Sequence, residues 1–483
     1  MRNKEDLFTL IKAMSKSEKR YFVLDAKKSG RSSSRYLTLF EELGKMEEFD
    51  EERLKKKFPK NLPSDKAYLY EAILRSMRDY RSASSKAAQV KERLMDARFL
   101  YERGLYDQST ERISQAKAMA KELEDHFTLL EINKEEQVSL FDRRARVRLE
   151  HLEALNEERL STLAAIDEEM KYHDLYYRIG LEVYREHYLK DISSIEALQK
   201  RIPVELLDEK NSPSSPQAKR RFYLCNAVYY TLLGDLDKVH YYYLKSVKWW
   251  DGFPVLKEEE YYRYIINVLN LVSTSYKNAK YFPVAEEWIS RLGQEKPGLS
   301  YHNQKLLFRT LSLSRLLHFL NQNDFYAAKE ILPEMIEEMN KLKLNKSIVL
   351  IINIVTVYFL TKDYKNCMLW ADYIIKNLKT GGREDIQRIV RIYRIIALYE
   401  TGEIDKLEAD IRSANRFYKA VDLPKDRFEN MVLNVYLKRI FNASISEQKE
   451  ARKEFEVFLN SVKNKINSDI PLGVDELLIW NAA

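Results

Sequence analysis

The pattern of hydrophobic and polar positions is sharpest between Phe222 and Pro254. Large residues at Tyr223, Tyr230 and Tyr243 alternate with small or β-branched ones at Ala227, Val239 and Ser246, on either side of Leu233-Gly234-Asp235. Large against small at these offsets lets two antiparallel helices interlock closely about a tight turn. The pattern recurs as a turn residue, an apolar residue two positions later and a small or aliphatic one three after that. It is found at Gly104, Tyr106, Ser109; at Gly234, Leu236, Val239; at Lys280, Phe282, Ala285; at Asn323, Phe325, Ala328; at Lys362, Tyr364, Cys367; and at Gly402, Ile404, Leu407. From Gly234 onward the turn residues are 46, 43, 39 and 40 apart. Between Gly104 and Gly234 there is room for two more units. That stretch carries the apolar set Leu152, Leu155, Leu160, Leu163 and Ile166, and is expected to form degenerate helical hairpins.

Residues 1–90 read as a separate helical head. Leu7, Phe8, Leu10, Ile11 and Met14 form one stripe, Tyr21 to Leu24 belong to a second helix and Tyr36 to Leu43 to a third. A short charged helix runs from Glu51 to Phe58. Ser64-Asp65 are expected to cap a fifth helix, which carries Tyr68, Leu69, Ile73 and Met77. Polar breaks fall at Arg31-Ser32-Ser33-Ser34-Arg35, at Pro203 to Gln217 and at Lys379-Thr380-Gly381-Gly382. The repeats fade after Ala414. Two further amphipathic stretches, Ser446–Asn464 and Val474–Trp480, are expected to close the array as capping helices. The division is therefore 1–90 for a basic head, 91–440 for a repeat array and 441–483 for the cap.

Composition agrees with helices joined by short turns. Gly (12) and Pro (11) are scarce, which argues against an all-β or Rossmann-like fold. The net charge is +7, and residues 1–90 hold 21 basic against 14 acidic side chains, so the whole excess sits in the head. There is no apolar signal core and no run of 18 apolar residues, from which a cytoplasmic protein without a membrane span is expected. The two cysteines, Cys225 and Cys367, lie in apolar helical patterns and read as buried thiols.

The stretch from Phe222 to Pro254 resembles a tetratricopeptide repeat, and the resemblance extends at the level of architecture over roughly 90–440. It implies an all-α fold, a right-handed α-solenoid of hairpins with its first helices lining an inner groove. The unit here is longer than the usual ~34 residues. A helical head followed by such an array is also loosely similar to bacterial peptide-responsive regulators, whose repeats bind a short peptide and whose head acts on DNA or an effector.

Catalytic chemistry is not announced. The seven histidines include no His-x-x-x-His pair and none beside a cysteine, and no phosphate-binding glycine loop or nucleophile elbow is present. The expectation is a non-enzymatic scaffold that needs no metal or cofactor and binds a peptide or protein partner. Its site is placed on the helix from Arg263 to Asn278, where Arg263, Asn267, Asn270, Thr274, Lys277 and Asn278 fall within an arc of about 100°. Asparagine both donates and accepts, which suits a peptide backbone. This stripe is read as lying outside the core. The alternative reading is a regulator whose head contacts DNA through Lys55, Lys56, Lys57, Arg75, Arg78 and Arg81. Of the neighbouring tyrosines 241, 242 and 243, at least one is expected to face outward.

Overall fold

A computed structural model describes residues 5–28, 35–82, 85–142, 149–186, 192–295, 301–378, 383–464 and 471–482. The breaks expected at Arg31 to Ser34 and at Lys379 to Gly382 lie outside the described residues. Among the described residues the protein is all-α, with no strand, and no helix is long and apolar enough to cross a membrane. The chain divides into two compact units, Met1–Thr274 with Trp288–Gln304, and Ser275–Glu287 with Lys305–Ala483.

The first unit opens with α1 (Asp6–Ala13), α2 (Lys16–Lys28), α3 (Arg35–Lys45), α4 (Glu51–Lys57) and α5 (Leu62–Ser82). Their apolar stripes meet in one cluster that includes Leu7, Ile11, Phe22, Leu39, Leu43, Leu69 and Ile73. α5 begins earlier than the Ser64-Asp65 pair suggests. Asn61 takes a left-handed conformation and Asp65 N–H donates back to its carbonyl, so Pro63 falls in the first turn, where proline is tolerated. Asp65 instead pairs with Arg35 at 2.7 Å.

Then come α6 (Lys86–Tyr101), α7 (Tyr106–Glu122), α8 (His126–Asp142), α9 (Leu149–Glu186), α10 (Ile192–Gln199), α11 (Pro216–Leu232), α12 (Leu236–Lys248), α13 (Pro254–Glu259), α14 (Tyr261–Ser275) and α15 (Phe282–Glu295), whose residues up to Glu287 belong to the second unit. α6 packs on α7, α7 on α8, α8 on α9, α9 on α11 and α11 on α12. The stretch expected to hold two degenerate hairpins is dominated by the single 38-residue helix α9. The Pro203–Gln217 segment is tied down. Tyr172 shares its hydroxyl proton between the carbonyls of Leu206 and Asn211, and the Ser214 and Ser215 amides donate to Glu168.

The second unit holds α16 (Tyr301–Asn321), α17 (Phe325–Glu330), α18 (Leu332–Lys341), α19 (Ile348–Leu360), α20 (Tyr364–Asn377), α21 (Glu384–Glu400), α22 (Ile404–Ala420), α23 (Phe428–Met431), α24 (Lys438–Asn442), α25 (Ile445–Lys463) and α26 (Val474–Ala482), with a π-helical segment at Val432–Leu437. α19 is apolar almost all round and buried almost all round. The reason is α26. It lies against α19 and reaches α21, with Val474, Leu477 and Trp480 entering the same core and Trp480 Nε1 donating to Glu400 at 3.0 Å. α26 thus covers the first helices of two hairpins, a role beyond that of an end cap with a polar outer face.

One local structure accounts for the recurring sequence pattern. At Gly104, Gly234, Asn323, Lys362 and Gly402 the backbone is left-handed, with φ between 56° and 75°. At each, the amide of the following residue donates back across the turn, from Leu105 to Leu100, Asp235 to Tyr230, Asp324 to Phe319, Asp363 to Tyr358 and Glu403 to Leu398. Asp235, Asp324 and Asp363 also cap the next helix through their side chains. Lys280 departs from the set: its turn is a 3-10 segment capped by Asn278. The small positions behind the turns, Ser109, Ala285, Ala328 and Cys367, are buried.

Candidate functional site

α14 runs to Ser275, so the stripe is not carried by one helix as the sequence suggests. Arg263 to Thr274 lie on α14 in the first unit, whereas Lys277 and Asn278 follow the helix end in the second. Arg263 and Lys277 are exposed and Asn270 is half-buried. Asn267 and Thr274 are buried, which corrects the expectation that the stripe lies outside the core. Thr274 enters the interior because its hydroxyl donates to the Asn270 carbonyl one turn back, at 2.9 Å. Asn278 spends its side-chain oxygen on the Lys280 amide at 3.0 Å. Asn267 is different. It is only 4% exposed and its amide nitrogen has no hydrogen-bond partner. A buried donor left unmade costs about 1–3 kcal/mol.

Arg263 leads to residues that sequence reasoning missed. Its guanidinium donates to Glu260 Oε1 at 2.6 Å, and the other Glu260 oxygen stands 3.6 Å from Arg220 Nη2. Arg220, at the start of α11, is 3% exposed. It also donates to Gln217 at 3.2 Å and lies over Trp250, 4.7 Å from the ring centre, with Nε unpartnered. The adjacent Arg221 is half-buried and makes no hydrogen bond or ion pair among the described residues. Burial lowers the pKa of Arg221, and the charge of Arg263 lowers it further. Burial also lowers that of His173 on α9, as do the charges of Arg221 and Arg263. The His173 ring lies tilted against that of Tyr177, 4.8 Å between centres, and Tyr177 is 57% exposed. Two guanidiniums thus share one carboxylate, and the charge of a third, Arg221, is felt by Arg263 and by His173 beside the exposed Tyr177. The Arg220-Arg221 doublet just inside a Ser-Pro helix start was the available signal; its neighbours are 40 residues away in sequence.

Glu169, near these arginines, is engaged elsewhere. It accepts from Ser215 Oγ at 3.0 Å and lies 2.7 Å from His126 Nδ1. The hydrogen bond to Glu169 raises the pKa of His126 against the opposing effect of burial, and the charges of Glu169, Glu124 and Asp125 add to the rise.

In the head, Lys55 pairs with Glu52 and Lys57 with Glu42, while Lys56, Arg75, Arg78 and Arg81 are exposed. Of the three adjacent tyrosines, Tyr241 is exposed beneath Lys245 and Tyr242 is buried against Tyr230. Among the described residues no cluster of His, Cys, Asp or Glu has a metal-binding arrangement. Compared with known proteins, the chain matches no family model, no curated protein and no solved structure.

Proposed function

We propose that the protein is a non-enzymatic peptide-binding scaffold, a right-handed solenoid of tetratricopeptide-like hairpins that grips an extended segment along α14. The observation that carries this reading is the Asn267 amide, buried without a partner on the face that also bears Arg263 and Asn270. An orphaned donor is tolerated where a ligand carbonyl completes it. The repeated left-handed turns and buried small positions support the hairpin-repeat architecture.

The test is retention of a synthetic random hexapeptide mixture on the immobilised full chain, read by mass spectrometry. Asn267→Leu keeps similar bulk and removes the orphan. Retention should fall at least fivefold while the melting temperature holds or rises, since replacing an unsatisfied polar group by an apolar one is neutral or stabilising. Unchanged retention, or no retained peptide at all, sinks the reading. Binding of duplex DNA by the head is the alternative, and the exposed Arg75 and Arg78 favour keeping it under test.

A further inference from the structure

We infer that Arg221 and Arg263, backed by Arg220, form a carboxylate-binding subsite that anchors an acidic group of the peptide, an inference that rests on the reading of α14 as a peptide-binding face. The argument begins with charge. Arg220 and Arg263 both turn to Glu260, at 3.6 and 2.6 Å, so one carboxylate serves two guanidiniums. Arg221 has no counter-ion among the described residues although it is half-buried. Glu169, the acid whose charge reaches Arg221, is already bonded to Ser215 and His126. A partly buried cation without a partner is costly, and an incoming anion relieves that cost.

The chemistry of the anion follows from Glu260. It shows that these guanidiniums accept a carboxylate, the planar group whose two oxygens match the guanidinium fork. The spacing then ties the subsite to the rest of the face. Arg263 and Asn267 are four residues apart on α14, so they share a face and are displaced by about 6 Å along the axis. An extended peptide advances about 3.3–3.6 Å per residue. A carboxylate held between Arg221 and Arg263 therefore brings a backbone amide about two residues back to the Asn267 side chain. Tyr177 and Tyr262, both exposed, offer apolar surface beside it. Arg220 Nε, buried and unpartnered, supplies one more donor behind the pair.

The carboxylate has two sources, the ligand's own C-terminus or an Asp or Glu side chain. The experiment separates them with two hexapeptide mixtures of the same random composition, one ending in a free acid and one amidated, each passed over the full chain. The expected result is a preference of at least tenfold for carboxylate-bearing peptides. Enrichment of free-acid peptides regardless of Asp or Glu content identifies the C-terminus, and enrichment of Asp- or Glu-containing amidated peptides identifies a side chain; either supports the subsite. Arg221→Gln should abolish the preference and Arg221→Lys should restore part of it, with the helical circular-dichroism spectrum unchanged in both. Retention that depends on Asn267 but shows no carboxylate preference overturns the subsite and leaves the peptide-binding reading standing. Retention of no peptide overturns both.

Discussion

Lys362 holds the same left-handed backbone as Gly234 and Gly402, at φ 56° against 72° and 75°. A side chain in that conformation costs about 1–2 kcal/mol, whereas glycine costs about 0.4–1 kcal/mol through its freer unfolded chain. Lys362→Gly should therefore gain about 0.5–1 kcal/mol in urea denaturation. Gly234→Ala should lose about 1 kcal/mol, although a Cβ there meets open space. An equal response at both sites would mean that the turns are not equivalent. His126 carries a second prediction at this scale. Its pKa is raised in the fold, with Glu169, Glu124 and Asp125 facing it. The stabilisation from the pair is thus complete below the ordinary imidazole value of 6.5 and is lost as pH rises through the folded value. Thermal melts should fall across that window, and His126→Ala should flatten the profile.

At the scale of elements, α26 is the least expected feature. Its entry turns at Gly473, φ 95°, where a Cβ would come 2.2 Å from Ile389 Cδ1. Gly473→Ala should unseat the helix, and Trp480→Ala should cost about 3–5 kcal/mol. Both are measured by denaturation and by proteolytic cleavage between α25 and α26. Cleavage no faster than in the wild type would show that the helix is held by other contacts. The hairpin turns were legible in sequence because each is local: a turn residue and a small or aliphatic residue within a few positions mark the geometry, with an aspartate cap added at Asp235, Asp324 and Asp363. The packing of α26 was not legible, because Trp480 and Glu400 are 80 residues apart. The nearly all-apolar α19 was the clue, since a helix with almost no polar face must be covered on almost every side. The candidate site was legible only in part. Arg263 and Asn267 stand out on a helical wheel, yet the wheel cannot tell a solvated stripe from one that neighbouring helices enclose. Nor could it bring in Arg221, which depends on how α11 lies near α14.

For the whole molecule, the placement of charge bears on the rival reading. Within the head, Lys55 and Lys57 are already neutralised by Glu52 and Glu42. Lys56, Arg75 and Arg78 make no ion pair among the described residues. If these three cations make the contact, they release about three counter-ions from duplex DNA, so log affinity against log salt should have a slope of about −3. Full-length protein titrated with labelled duplex over a range of salt measures it. A steeper slope, with tight binding at physiological salt, would move the head to the centre of the function.

The position of α26 also sets a timetable for synthesis. α19 ends at Leu360 and α26 begins at Val474, so 113 residues lie between an almost wholly apolar helix and the helix that completes its cover. At about 5–20 residues per second the ribosome takes roughly 6–23 s to make that stretch. Throughout that interval the face of α19 that α26 will cover is exposed to the cytosol of whatever host makes the chain, a hydrophobic surface that chaperones recognise and that neighbouring nascent chains can stick to. Yield in a heterologous host should therefore depend on how quickly the last helix arrives, and clusters of slow codons between α19 and α26 should lower it more than the same clusters placed before α19.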